Sequence, residues 1–209
     1  MVFSFIGFSG CGKSHVARRF ATELGWNLIS CDDRIEEALE PILPQQVPHG
    51  TQRVAHWLGQ PYTSGFSERQ QLYLEAEQEA LYEICLEAER CRKDENLVID
   101  TTGSVIYMSR ESLISLRARS YVFYFEMPDS DEEAMFEQYL QDPKPVIWQD
   151  LYHHDAQEDQ NAALRKCYPV LMHQRAAMYE KMADFTVSAA FADRADLNPQ
   201  TLIGMVRLP

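Results

Sequence analysis

The chain has 209 residues, of which 45% are hydrophobic and 24% charged, a composition that is ordinary for a soluble globular protein. Its formal net charge of −13 opposes binding to nucleic acid backbones and to anionic membranes. The sequence contains no run of about 18 apolar residues, the length that is needed to span a bilayer. The five cysteines form neither a zinc-like pair nor a disulfide-rich pattern, so reduced thiols and a cytoplasmic location are expected. The apolar start is too short for a signal peptide.

The first predicted element is a buried strand at Val2–Ile6, followed by the glycine loop GFSGCGKS at residues 7–14. A helical pattern begins near Lys13 and ends at Gly25. This context and the full GxxxxGKS spacing predict a P-loop, in which Lys13 reaches the β and γ phosphates of ATP and the Ser14 hydroxyl ligates Mg²⁺. Lys13 is expected to be exposed in this phosphate cradle. The predicted nucleotide-binding residues are Gly10, Cys11, Gly12, Lys13, Ser14 and His15.

Further along the chain, apolar runs typical of strands alternate with amphipathic helical patterns. The later strands are predicted at residues 26–31, 97–99, 121–126 and 185–187. Helices are predicted at 13–24, 34–40, 54–58, 67–93, 110–116, 129–140, 161–182 and 198–206. Pro169 is a candidate for the true start of the seventh helix. The many glutamates of 67–93 are expected to face solvent.

This alternation predicts one α/β domain over residues 1–209, with a five-stranded parallel sheet between two layers of helices. Two segments rich in proline, glycine and polar residues interrupt the pattern. Residues 41–66 are interpreted as an excursion on the acceptor side of the site, and 142–160 as a flexible lid. Trp148 in this lid either covers the nucleotide or anchors the loop.

Two aspartates are expected beside the P-loop, because Asp32 follows the second predicted strand and Asp100 ends the third. Phosphoryl transfer needs carboxylates near Mg²⁺ and near the accepting hydroxyl. Asp100, directly after Leu-Val-Ile, is typical of the metal-side carboxylate of P-loop enzymes. The alternative for both residues is a helix cap, since strand ends often lead into caps.

Several stretches together resemble the shikimate kinase family. Residues 7–39 resemble its P-loop, first helix, second strand and aspartate motif, and LVIDTTGSV at 97–105 lies where that family has its third strand and a triple-glycine loop. DPKPVI at 142–147 occupies the place of the family's lid motif. HQRAAMYEKMADFTV at 173–187 resembles the segment around the family's second substrate arginine and last strand. The resemblance spans most of the chain.

This resemblance implies an ATP- and Mg²⁺-dependent kinase fold with an acceptor site. It implies that Asp32 holds or activates the accepting hydroxyl, that Gly103 belongs to the substrate loop and that Arg175 grips a substrate carboxylate. It further implies that Lys144 is the lid cation, which would act in catalysis together with Lys13 and Asp32.

The acceptor half departs from the family pattern. Thr101 and Thr102 stand where the family has glycines, and Ser67 stands where it has its first substrate arginine. Arg69 and Arg53 are the candidates to replace that arginine. The phosphoryl-donor half is intact while the acceptor half is changed, which argues against shikimate as the substrate.

The sequence therefore predicts a shikimate kinase-like phosphotransferase that phosphorylates a hydroxyl of a small metabolite, which could be anionic. A monomer with no nucleic acid or membrane partner is expected. Two alternatives stay open: a nucleotide or gluconate-type kinase, and a nucleotide-binding regulator without phosphoryl transfer.

Overall fold

The computed structural model describes residues 1–127, 132–155, 157–188 and 197–207. Its strands are β1 (Val2–Ile6), β2 (Asn27–Ser30), β3 (Leu97–Asp100), β4 (Tyr121–Phe125) and β5 (Phe185–Val187). They form one parallel sheet in the order β2-β3-β1-β4-β5. Phe5 of β1 lies opposite Asp100 of β3, and Asp100 lies opposite Ser30 of β2. The carboxyl ends of three neighbouring strands therefore meet at one edge of the sheet.

Helices flank this sheet. Within the described ranges they are α1 (Lys13–Leu24), α2 (Cys31–Leu39), α3 (Thr51–Leu58), α4 (Phe66–Arg90), α5 (Arg110–Arg119), α6 (Glu132–Gln141), α7 (Gln160–Met182) and α8 (Pro199–Arg207), with 3₁₀ turns at Glu40–Ile42 and Val105–Tyr107. The predicted five-stranded parallel α/β fold is confirmed. None of these described helices is both long and apolar enough to cross a membrane.

Aromatic side chains hold the central strand β1 against its neighbours. The Phe3 ring centroid lies 4.9 Å from that of Trp26 and 4.8 Å from that of Phe123. Phe20 of α1 packs on the same ring at 5.6 Å, and all four side chains are buried. Because helices cover both faces of β1, its side chains are apolar except for Ser4, whose buried hydroxyl donates to the Ser120 hydroxyl. This packing fixes the point at which the glycine loop leaves the sheet.

The helix α2 begins earlier than the sequence pattern predicts, at Cys31 instead of residue 34. The side chain of Ser30 caps it by accepting a hydrogen bond from the Asp33 N–H at 3.2 Å. Asp32 therefore lies in the first turn of a helix at the end of β2, where the positive end of the helix dipole favours a carboxylate.

The helix α7 runs without interruption from Gln160 to Met182, with Pro169 inside it. Its start is set upstream of the proline by Asp159, whose carboxylate accepts hydrogen bonds from the first-turn N–H groups of residues 161 and 162. Pro169 is therefore not the helix start. Helix α6 begins at Glu132, and the first part of the helix predicted at 129–140 lies outside the described residues.

One glutamate of α4 contradicts the expectation that the acidic residues of this helix face solvent. Glu75 and Glu79 are exposed, but Glu77 is only 2% exposed. It is buried because it is in helical phase with the buried side chains of Tyr73 and Leu81 on the inner face of α4. The inner face of α4 thus brings a carboxyl group into the protein interior.

The segment 142–160 contains no helix or strand in its described part until α7 begins at Gln160. Ile147 and Trp148 are nevertheless fully buried. The Trp148 ring lies 6.2 Å from that of Tyr139 and 6.1 Å from that of Tyr168, measured between ring centroids. Of the two interpretations of Trp148, this packing supports a loop anchor.

Candidate active site

The glycine loop has the backbone conformation that a phosphate cradle requires. Gly7, Gly10 and Gly12 all have positive φ, at 141°, 88° and 89°. A Cβ on Gly7 would lie 2.8 Å from the Phe125 carbonyl oxygen, so only glycine fits there. Gly12 is the N-cap of α1 and no side chain caps its first turn, which leaves backbone N–H groups for a ligand. The side chain of His15 is exposed, so its part in such a cradle would come from its backbone.

Lys13 is buried, at 4% exposure, and is not exposed as the sequence analysis expected. Burial alone would lower the pKa of its ammonium group. The negative charges of Asp100 and Asp32 outweigh this effect, and the pKa of Lys13 is raised above its usual value. The lysine is therefore a positive charge at the end of the glycine loop, within electrostatic reach of two carboxylates.

Asp100 ends β3 beside the glycine loop and is buried. Burial raises the pKa of its carboxyl, while Lys13 and a hydrogen bond from Ser14 partly offset that rise. Its Oδ1 is buried and has no hydrogen-bond partner among the residues that the structure describes. A buried carboxylate oxygen that lacks a partner, next to a hydroxyl, is a donor set of the kind that Mg²⁺ uses. Ser14 and Asp100 therefore fit a magnesium ion.

Asp32 lies close enough to Lys13 and Asp100 for their charges to act on it. Burial raises the pKa of Asp32 to about 6, Lys13 opposes this rise, and Asp100 adds to it. Lys144 also lowers this pKa through its positive charge, so the lid segment brings a cation toward Asp32. Lys144 itself pairs with Asp142, with 2.8 Å between Nζ and Oδ2.

The loop at residues 101–104 turns its side chains inward. Thr101, Thr102 and Ser104 are at most 5% exposed, and the Thr101 hydroxyl donates to the Phe5 carbonyl oxygen at 2.7 Å. Although the two threonines stand where the resembled family has glycines, their side chains are buried and add no bulk to the acceptor side. Gly103 is the one residue of this loop that is partly exposed, and the Ser9 backbone nitrogen lies 3.5 Å from the position that a Cβ on it would occupy.

Arg175 of α7 is buried beside this loop, with Nη1 3.5 Å from the same Cβ position at Gly103. Its Nε donates to the Tyr107 hydroxyl at 3.1 Å, and its Nη2 donates to the Ile147 carbonyl oxygen. The guanidinium also lies over the Tyr107 ring, 5.2 Å from the centroid. These contacts orient Arg175, and within the described ranges no group forms a hydrogen bond with its Nη1.

The other two candidate arginines do not reach this site. Arg53 is buried against Glu40 and Glu36 and donates to the Pro44 carbonyl oxygen at 3.0 Å. Arg69 donates through Nε to the Leu58 carbonyl oxygen at 2.9 Å. Both guanidinium groups stabilise the 41–66 excursion, so neither replaces the arginine that is missing at residue 67.

Sequence reasoning missed Glu77 as a site residue. Its carboxyl accepts a hydrogen bond from the Ser104 hydroxyl at 2.6 Å and a second from the Thr102 hydroxyl. The available signal was its position, four residues after Tyr73 and four before Leu81, within an apolar helical stripe. A glutamate in such a stripe must find polar partners inside the protein.

Comparisons with known proteins agree with this geometry. The model of a family described as AAA domain matches residues 2–134. The solved shikimate kinase from Bacteroides thetaiotaomicron matches 100% of this chain and 99% of its own, with 18% identity and a TM-score of 0.62. For shikimate kinase from Acinetobacter baumannii in complex with shikimate, the coverages are 100% and 95%, the identity 20% and the TM-score 0.58. For shikimate kinase from Aquifex aeolicus, the coverages are 99% of this chain and 93% of its own, the identity is 17% and the TM-score is 0.54.

At these identities the structural matches show the fold, which is that of the P-loop kinases. The resemblance inferred from sequence motifs is confirmed at that level. A search of curated protein sequences finds no match to the chain.

Proposed function

Since the chain belongs to the AAA domain family, we propose that it is an ATP-dependent kinase that transfers the γ-phosphoryl group of ATP to a hydroxyl of a small molecule. One observation carries this proposal. Lys13, Asp100 and Asp32 converge at the carboxyl ends of neighbouring parallel strands, close enough for Lys13 and Asp100 to shift each other's pKa and for both to shift the pKa of Asp32. A fixed cation with two carboxylates beside a glycine loop is the arrangement that phosphoryl transfer requires.

On the donor side, the backbone N–H groups of residues 10–15 would hold the phosphates of ATP and Lys13 would orient the γ phosphate. Ser14 and Asp100 would hold Mg²⁺, which when bound supplies positive charge against the β and γ phosphates. Burial of Lys13 keeps its ammonium group in one position, so little reorganisation is needed during the reaction.

On the acceptor side, Asp32 would hold the accepting hydroxyl and take its proton. A pKa of about 6 suits this role, because the carboxylate is ionised at neutral pH and is still a better base than an ordinary aspartate. Gly103 and the Nη1 atom of Arg175 would contact the same molecule from the other side, next to the P-loop residue Ser9.

The acceptor is a small hydroxylated molecule that does not need a clamp of two arginines. Arg53 and Arg69 are both engaged within the 41–66 excursion, and Ser67 carries no charge. Of the three candidate arginines Arg175 alone is left for an acidic group, and two of its nitrogens already have partners. These contacts support an acceptor other than shikimate.

We therefore predict a low kcat/KM for shikimate. It should lie below about 10⁴ M⁻¹s⁻¹, the value at which the range of efficient metabolic enzymes begins. A buried charge contact that is lost without compensation costs about 2–5 kcal/mol, which corresponds to roughly 30- to 5000-fold in affinity. Steady-state kinetics with shikimate and ATP measure this value. A higher kcat/KM would mean that Arg175 alone is sufficient and that shikimate is the acceptor.

A second prediction concerns the lid at 142–160. Because Ile147 and Trp148 are already buried, binding of Mg²⁺ and a non-hydrolysable ATP analogue should increase amide protection mainly at residues 142–146. Lys144→Ala should lower kcat by about tenfold or more while ATP affinity changes less, because a lid cation acts on the charge of the transition state. Lys181→Ala, at an exposed position of α7, is the matched control. Unchanged exchange over 142–146 would exclude lid closure.

The direct test is a steady-state assay of ADP release over a panel of polyols, sugars, sugar acids and nucleosides. The proposed kinase releases ADP only with particular acceptors. A nucleotide kinase would respond to nucleoside monophosphates, which are included as further acceptors, and a gluconate-type kinase would respond to sugar acids. ATP binding without acceptor-dependent release across the panel would favour the alternative of a nucleotide-binding regulator.

A further inference from the structure

A buried carboxyl group lies directly beneath the loop that would contact the acceptor. Glu77 of α4 is 2% exposed, and its two oxygens accept hydrogen bonds from Thr102 and Ser104, on either side of Gly103. No other charged side chain contacts these two hydroxyls in the described part of the chain. Glu77 plays no part in the transfer reaction outlined above.

Within the loop, these hydrogen bonds close a tight turn. The Thr102 hydroxyl, held by Glu77, accepts the Ser104 N–H at 3.1 Å. This contact spans Gly103 and restricts its backbone. From the opposite side, the Tyr179 hydroxyl donates to the Gly103 carbonyl oxygen. The backbone of Gly103 is thus fixed by side chains from two helices, α4 and α7.

The position of Gly103 gives this bracing a functional meaning. A Cβ at Gly103 would lie 3.5 Å from both Ser9 N of the glycine loop and Nη1 of Arg175. The loop therefore meets the P-loop at the place where the proposed donor and acceptor sites join. A displacement of the turn would move this contact.

We propose that Glu77 is a positioning residue of the acceptor site: through Thr102 and Ser104 it holds Gly103 against the P-loop and Arg175. This inference rests on the proposed function in one respect, namely that the loop at residues 101–104 contacts the acceptor. The bracing itself follows from the contacts of Glu77 and can be tested without knowing the acceptor.

The surroundings of Glu77 make this bracing dependent on pH. Burial raises the pKa of Glu77 to about 7, and the negative charge of Asp32 on α2 adds to this rise. The hydrogen bonds from the Ser104 and Thr102 hydroxyls and the positive charge of Arg175 on α7 oppose it. The neighbouring titratable groups are Tyr73 on α4 and Cys31 on α2; burial raises the pKa of each, and the charge of Glu77 raises it further. At neutral pH both therefore stay uncharged.

The sign of the effect follows from linkage. With the loop closed the pKa of Glu77 is about 7, and with the loop open and the carboxyl hydrated it returns toward 4.5. The closed loop therefore binds the proton more tightly and is favoured at low pH. Between about pH 6 and about pH 8 the closed loop should lose roughly tenfold in its equilibrium against the open one.

Hydrogen exchange of the full-length protein tests this proposal, with amide rates corrected for the intrinsic effect of pH. In the wild type, protection at residues 102–104 should fall about tenfold from about pH 6 to about pH 8. Glu77→Gln mimics the protonated carboxyl, so it should keep the protection and remove its pH dependence. Glu77→Ala should lose protection at both pH values. Glu79→Gln, at an exposed position of the same helix, should match the wild type.

Two results would overturn the proposal: loop protection in the wild type that does not change with pH, or a Glu77→Ala variant whose loss of protection is spread evenly over β3 and α4. The second pattern would indicate a general packing role. Mg²⁺–ADP affinity, measured by calorimetry, should be unchanged in Glu77→Gln, because the glycine loop is untouched. The assay of ADP release tests the proposed function separately, so the two claims fail independently.

Discussion

Replacement of Lys13 by alanine is expected to lower kcat for acceptor phosphorylation by at least about 10²- to 10³-fold, the usual effect of removing one preorganised charge-stabilising donor. The lysine is buried and lies within electrostatic reach of Asp32 and Asp100, so no mobile surface cation can take its place. Steady-state kinetics with a responsive acceptor measure the effect. Lys93→Ala, at an exposed loop position, is the matched control. Turnover retained in the Lys13 variant would refute the assignment of the P-loop.

The same variant should fold, with a circular dichroism spectrum close to that of the wild type. Its loss of thermal stability should depend on pH. Without the lysine, the pKa values of Asp32 and Asp100 rise further, and carboxyls with raised pKa values stabilise the fold less as pH rises through those values. The difference in melting temperature from the wild type should therefore shrink toward about pH 5.

Replacement of Asp32 by asparagine is expected to lower kcat by about 10²- to 10⁴-fold, the contribution of a well-positioned general base. The amide keeps the shape of the side chain but cannot accept the proton of the hydroxyl. In the wild type, kcat/KM for the acceptor should decline as pH falls through about 6, because the carboxylate form is then lost. The variant should lack this decline.

Affinity for Mg²⁺–ADP should survive in the Asp32 variant, since the nucleotide would be held by the glycine loop, Lys13 and Ser14. Asp33→Asn is the matched control, because Asp33 is the next residue and its side chain is exposed. If Asp32→Asn turned over the acceptor at the wild-type rate, Asp32 would be a structural residue of α2, and another group would have to accept the proton.

The donor half of the site could be predicted from sequence because its determinants are local. The glycine loop, the apolar strand before it and the helix after it are contiguous, and each needs particular residue types. The position of Asp100 could also be predicted from sequence, because a carboxylate at the end of a buried parallel strand must lie at the sheet edge where ligands bind. The parallel direction of the strands followed from the alternation of strands and helices, whereas their order in the sheet was not predicted.

The acceptor half depends on contacts between distant segments, which a pattern of spacing does not contain. Arg53 and Arg69 were candidates for an anion site, but Arg53 lies against Glu40 and Arg69 folds back on the Leu58 carbonyl. Glu77 looked like one more solvent-facing glutamate of an acidic helix. Its burial is decided by where α4 packs, and only the structure shows the two hydroxyls that it meets.

The inward orientation of the Thr102 side chain also depends on a contact between distant segments, its hydrogen bond to Glu77. A threonine in place of a glycine suggests added bulk in a binding site, yet its hydroxyl has a partner on the interior side. The loop can then offer the backbone of Gly103 outward, as a glycine loop would. The side chains of Thr102 and Ser104 therefore serve to hold the loop through Glu77, and the backbone of Gly103 remains the part of the loop nearest the P-loop.

The central claim is that a phosphoryl group passes from ATP to a small molecule at the site of Lys13, Asp32 and Asp100. The most direct measurement uses ATP labelled in its γ phosphate, incubated with the protein and a mixture of small hydroxylated metabolites, and follows the label by mass spectrometry. We predict label in an organic phosphate ester with the wild type, and none with Lys13→Ala or Asp32→Asn. Label that stays in ATP, or that appears only as inorganic phosphate, would contradict the claim.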